Sequence, residues 1–115
     1  MDKKIVSITV ASAFSAKHWH DKTLNEAVHT HNFKYEVSLK GPLNEEGYLV
    51  DFRSLENFLN TLNAKLENRT LNDLMPAPTT ENLAIYIFEE TAKVCPMVYQ
   101  VKVQEKENYY AAYAR

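Results

Sequence analysis

Phe33, Tyr35, Val37 and Leu39 alternate with Lys34, Glu36, Ser38 and Lys40, and Gly41-Pro42 then stops the run. Successive side chains of a strand point to opposite faces, so this pattern specifies a strand with one face in a core and the other in water. The rest of the chain must supply partner strands and a cover for the apolar face.

Two other regions carry the same period. Between Ile5 and Ala16, Val6, Ile8 and Val10 fall on one parity and Ser7 and Thr9 on the other, which predicts the first strand. Beyond Pro96, Met97, Tyr99, Val101 and Val103 alternate with Gln100, Lys102 and Gln104. A charged turn near Lys106-Glu107-Asn108 then leads to a last strand, Tyr109 to Arg115, so the chain ends in a hairpin.

The period changes in the middle. After a loop at Gly47, Tyr48 to Asp51 is predicted to resume extended structure, and Asp51 to cap a helix carrying Leu55, Phe58, Leu59, Leu62 and Leu66 on one face. Pro76, Pro78, Thr79 and Thr80 punctuate the chain before a second helix, Glu81 to about Val94. It has a Thr cap, an acidic first turn suited to the helix dipole, and an apolar set of Leu83, Ala84, Ile87 and Phe88. The expected fold is α+β, a four-stranded antiparallel sheet with two helices on one face in the order ββααββ. Residues 1–115 are read as a single domain.

Charge and composition narrow the partners. The 13 basic and 15 acidic residues contain no cationic run able to neutralise successive phosphates, which argues against nucleic acid. No apolar stretch approaches the roughly 18–20 residues that span a bilayer, so no membrane partner is expected. The charged start leads into an alternating segment rather than a signal-peptide core, and the single cysteine, Cys95, forms no internal disulfide. The expected location is cytoplasmic. Cys95 is read as a small buried hydrophobe, and Trp19 and the tyrosines 109, 110 and 113 as packing groups.

All four histidines lie within residues 18–31, as His18-Trp19-His20 and His29-Thr30-His31. Residues two apart on an extended segment share a side, which is metal-ligand spacing. Neutral imidazole suits zinc, and a catalytic zinc site takes three protein ligands and leaves a fourth position for water or substrate. Four candidates suffice for such a site.

Several segments resemble a known family in order and spacing over nearly the whole chain. They are Phe14-Ser15-Ala16-Lys17-His18, His29-Thr30-His31-Asn32-Phe33, Gly47 through Asp51-Phe52, Leu71-Asn72, and Pro78-Thr79-Thr80-Glu81-Asn82-Leu83-Ala84. They resemble the 6-pyruvoyl tetrahydropterin synthase and 6-carboxytetrahydropterin synthase family, which has the tunnelling fold. The resemblance implies zinc held by His18, His29 and His31, with His20 not a ligand. It also implies a pterin substrate, a homo-oligomer (trimer or hexamer) with active sites between subunits, and a place in folate or queuosine biosynthesis. Glu105 resembles the glutamate that anchors the pterin's guanidine-like edge by paired hydrogen bonds, and Thr79 falls in the substrate-binding stretch.

Two catalytic positions depart from the family pattern. Where the family has Cys-x-x-x-His-Gly-His, this chain reads Asn25-Glu26-Ala27-Val28-His29-Thr30-His31. Where it has Leu-Asp-His, this chain reads Leu66-Glu67-Asn68, and an asparagine cannot shuttle protons near neutral pH. Glu26, three residues before His29, is similar to the base in a branch with Glu-x-x-His-Gly-His that cleaves its substrate by an aldolase-like reaction. The expected function is therefore a zinc-dependent lyase acting on 7,8-dihydroneopterin or its triphosphate, with Glu26 and Glu67 as catalytic carboxylates. The alternatives are a 6-pyruvoyl or 6-carboxytetrahydropterin synthase proper, and an inactive zinc- and pterin-binding homologue.

Overall fold

The structure is a computed structural model and describes residues 4–18 and 29–115. Its elements run β1 (Ile5–His18), β2 (His29–Pro42), α1 (Phe52–Leu66), α2 (Thr80–Val94), β3 (Val98–Lys106) and β4 (Tyr109–Ala114), with a short 3-10 turn at Leu71–Asp73. The strands form one sheet in spatial order β1-β2-β3-β4, each pair antiparallel. Both helices cover one face, α1 against β1 and α2 against β3 and β4. This is the ββααββ arrangement expected from the periodicities.

Register and parity place the core. Val10 pairs with Val37 and Phe14 with Phe33, while Val37 pairs in turn with Val101 and Tyr35 with Val103. All of these are buried beneath the helices, together with Leu55, Leu59, Leu62 and Leu66 of α1 and Leu83, Ala84, Ile87 and Phe88 of α2. Each fully buried leucine or phenylalanine contributes about 1.5–3 kcal/mol of burial free energy, so this face holds the domain together. The opposite face carries small and polar groups, including a 2.8 Å hydrogen bond between the Thr9 and Ser38 hydroxyls. There the ammonium of Lys102 lies 4.5 Å from the centre of the Tyr110 ring.

Both helix starts follow their caps. The Asp51 carboxylate accepts from the Arg53 backbone N–H at 2.9 Å, and the Thr79 hydroxyl accepts from that of Asn82 at 3.0 Å. A side-chain chain ties α1 to the sheet: the Tyr35 hydroxyl donates to Asn63 Oδ1 at 2.6 Å, and Asn63 Nδ2 donates to the Ser12 hydroxyl at 2.7 Å.

Four expectations need correction. The first strand runs on past Ala16 to His18, and the second begins at His29 rather than Phe33. Pairing between Ala16 and His31 and between His18 and His29 extends both, although polar residues there hide the period. Tyr48 to Asp51 forms no strand, and the chain bends at Leu49 and Val50. Its backbone folds onto Asn44, whose side chain accepts from Glu46 N and Tyr48 N, and Gly47 takes the positive φ of 94° that this turn needs. In β3 a register shift at Ser38/Leu39 pairs Val98 with Leu39, so Val98 is buried in the position that alternation gave to Tyr99.

Candidate metal centre

The two long strands carry their histidines to one end of the sheet. His18 closes β1 and stands opposite His29 in the ladder, while Ala16 stands opposite His31. His18 shares the parity of Val10, Phe14 and Ala16, and it is fully buried. Its ring meets the His31 ring edge-on at 4.8 Å and the Phe33 ring at 5.4 Å, and Phe33 stacks on Phe14 at 5.4 Å. A packed aromatic row thus fixes both imidazoles.

The end of β1 is held from its outer edge. Residues following α1 turn back along it: Asn68 N donates to Ser15 O at 2.7 Å and Lys17 N to Arg69 O at 2.8 Å. The Glu67 carboxylate accepts from Ser15 N at 3.0 Å. Asn68 makes the turn with a φ of 60°, a left-handed conformation that asparagine tolerates better than most side chains.

β3 supplies the third group. Gln104 pairs with Tyr110 and Lys106 with Tyr109, so Glu105 is the extra residue of a bulge beside the hairpin turn. Bulges redirect a side chain at the rim of a sheet. Glu105 Oε1 lies 3.3 Å from His18 Nε2 and 3.8 Å from His31 Nε2. Its other oxygen, Oε2, accepts from the Thr80 hydroxyl at 2.9 Å, in the first turn of α2. The positive end of that helix dipole also favours a carboxylate there.

The start of α2 fixes His18 as well. His18 Nδ1 lies 3.1 Å from the Pro78 carbonyl oxygen. A carbonyl oxygen only accepts, so Nδ1 carries the hydrogen, and Nε2 is the atom that faces Glu105. An imidazole nitrogen and a carboxylate oxygen at that distance need a positive partner, either a proton on Nε2 or a metal ion. One nitrogen of His18, one of His31 and an oxygen of Glu105 all lie within 4.8 Å of one another. Two imidazoles and a carboxylate, with one imidazole oriented by a backbone carbonyl, form a donor set that fits zinc.

The site residues expected from sequence fall out as follows. His18, His31 and Glu105 converge. His29 occupies the first position of β2, two residues from His31, and its side chain lies outside the described structure, as do Glu26, His20 and Trp19. Thr79 caps α2, and Glu67 holds the β1 edge. Thr80 is not among the site residues expected from sequence, because its contact is with a residue 25 positions away. A cavity of about 390 Å³ borders the site along Asn32, Lys34, Gln104, Glu105, Lys106 and Glu107. A larger one of about 570 Å³ lies on the open sheet face and does not reach the histidines.

Residues 7–115 match the family model described as 6-pyruvoyl tetrahydropterin synthase. The chain belongs to that family. A protein of Archaeoglobus fulgidus, provisionally named 6-carboxy-5,6,7,8-tetrahydropterin synthase, is 36% identical over 100% of both chains. The dihydroneopterin monophosphate aldolase of Pyrococcus furiosus is 34% identical over 78% of this chain and 73% of its own. The solved structure of Caenorhabditis elegans 6-pyruvoyl tetrahydropterin synthase superposes with a TM-score of 0.87 at 24% identity, covering 100% of this chain and 99% of that one. The tunnelling fold of the 6-pyruvoyl tetrahydropterin synthase family is thus the fold of this chain. No helix among the described residues is long and apolar enough to cross a membrane.

Proposed function

We propose that this chain is a zinc-dependent lyase of pterin metabolism. It cleaves the side chain of 7,8-dihydroneopterin, or of its monophosphate or triphosphate, to 6-hydroxymethyl-7,8-dihydropterin and a two-carbon aldehyde. Family membership supports the pterin substrate, and the convergence of His18, His31 and Glu105 is the observation that carries the metal chemistry. The likeness to a dihydroneopterin monophosphate aldolase favours bond cleavage over the synthase reactions.

In this reading His18, His29 and His31 hold the zinc, which when bound supplies Lewis acidity toward the side-chain hydroxyls. Glu26 takes the proton from the hydroxyl on the second side-chain carbon. The bond between the first two side-chain carbons then breaks, that hydroxyl oxygen becomes the aldehyde, and the bonding pair passes into the ring's C=N system. The first carbon is reprotonated to give the hydroxymethyl group. Glu105 holds the guanidine-like edge of the ring, Thr79 lies beside it at the start of α2, and Glu67 is the second carboxylate for proton return. The protein acts as a cytoplasmic homo-oligomer, a trimer or hexamer, which light scattering on the purified protein checks.

A second reading, 6-carboxytetrahydropterin synthase, is favoured by the full-length likeness to the Archaeoglobus protein. The two readings separate when protein purified without a histidine tag is incubated with dihydroneopterin, its monophosphate and its triphosphate. Mass of the product decides: 6-hydroxymethyl-7,8-dihydropterin supports cleavage, and 6-carboxytetrahydropterin from the triphosphate overturns it. Bound zinc with no turnover of any substrate marks a binding homologue that has lost its chemistry, in keeping with Asn68.

A further inference from the structure

Glu105 does not present itself to a pterin in this structure. Paired hydrogen bonds to a guanidine-like edge use both carboxylate oxygens. Here Oε2 is taken by the Thr80 hydroxyl at 2.9 Å, and Oε1 faces the two histidine nitrogens at 3.3 and 3.8 Å. Donors about 2.0–2.2 Å from one tetrahedral ion stand about 3.2–3.6 Å apart, so Oε1 has a ligand's spacing from His18 Nε2 and stands slightly beyond it from His31 Nε2. Glu105 also lines the cavity of about 390 Å³ at this rim, which gives its side chain space for a second orientation.

We propose that Glu105 is a ligand of the metal centre in the substrate-free protein, positioned by Thr80, and that pterin binding draws it away. The two roles exclude each other, since one carboxylate cannot face the histidines and grip the far edge of the ring together. Recognition of the pterin edge therefore opens the coordination position that the substrate's side-chain hydroxyls use. The inference rests on the zinc reading above and adds to it a coupling between ring recognition and access to the metal.

The test uses metal-free protein loaded with cobalt(II), whose visible absorption reports ligand number and type. Wild type, Glu105→Gln, Glu105→Asp and Thr80→Val are compared, with far-UV circular dichroism confirming folding. Loss of the ligand lowers cobalt affinity at least about tenfold in Glu105→Gln and changes its absorption bands, while Thr80→Val shows a smaller shift in the same direction. Glu105→Asp, which keeps the charge but retracts it, behaves like Glu105→Gln. Neopterin, an oxidised pterin with the same ring edge, moves the wild-type bands and leaves those of Glu105→Gln unmoved. Unchanged affinity and absorption in Glu105→Gln overturn the inference, and so do wild-type bands that ignore saturating neopterin. A wild type that takes up no cobalt overturns the zinc reading with it. Normal cobalt behaviour without turnover overturns the proposed reaction alone.

Discussion

His18 Nδ1 and the Pro78 carbonyl oxygen, sixty residues apart in sequence, lie 3.1 Å from one another in the buried end of the sheet. The contact joins the last residue of β1 to the segment that starts α2, and it directs Nε2 toward His31 and Glu105. His18→Ala removes a fully buried ring and leaves the Pro78 carbonyl without that donor. The expected loss is about 2–4 kcal/mol in denaturant unfolding, together with loss of bound zinc by elemental analysis. A variant that keeps a full complement of zinc contradicts the ligand assignment.

Glu67 can be tested for structure and chemistry separately. Its carboxylate accepts from Ser15 N, and a glutamine oxygen can do the same. Glu67→Gln is expected to unfold within about 0.5 kcal/mol of wild type, and Glu67→Ala to lose about 0.5–1.5 kcal/mol. If Glu67 returns protons as proposed, Glu67→Gln loses turnover at unchanged stability. Full turnover in that variant restricts Glu67 to holding the strand edge.

Tyr35 makes stability depend on alkaline pH. Burial pushes its phenol up to about 12, against an ordinary value of 10.0. The unfolded chain therefore releases this proton first. Stability is complete below about pH 10 and falls between about pH 10 and 12, by about 2–3 kcal/mol from this group. Unfolding curves at pH 9 and 11.5 should show the fall in wild type and a smaller one in Tyr35→Phe. Equal falls in both would remove Tyr35 as the cause.

Thr79→Ala removes the N-cap of α2 and is expected to cost about 1 kcal/mol. The Thr79 hydroxyl is engaged as the cap of α2, accepting from Asn82 N, so zinc content is expected to stay unchanged. A raised KM for the pterin, beyond what the stability loss explains, is the signature expected if Thr79 binds substrate as proposed.

The order of elements could be read from the residues because the apolar period switches from two to helical and back, and because Asp51 and Thr79 are ordinary caps. The ends of β1 and β2 could not, since Lys17, His18, His29, Thr30 and His31 alternate in nothing but position, and only their mutual pairing makes them strand. The histidines drew attention by spacing alone. That His18 and His31 would meet Glu105 follows from three neighbouring strands ending at one rim and from a bulge, neither of which leaves a local mark in sequence. Thr80 and the β1 edge contact of Glu67 were hidden for the same reason: each joins residues 25 or more positions apart.

In the proposed reaction a zinc site cleaves the dihydroneopterin side chain with Glu26 as its base. The most direct measurement follows the mass of the product formed from dihydroneopterin and its monophosphate by zinc-loaded wild type and by Glu26→Gln. Wild type is expected to give 6-hydroxymethyl-7,8-dihydropterin, and Glu26→Gln to lose at least about a hundredfold in rate with zinc retained. Undiminished product from Glu26→Gln, or an uncleaved side chain in wild type, would contradict this reaction.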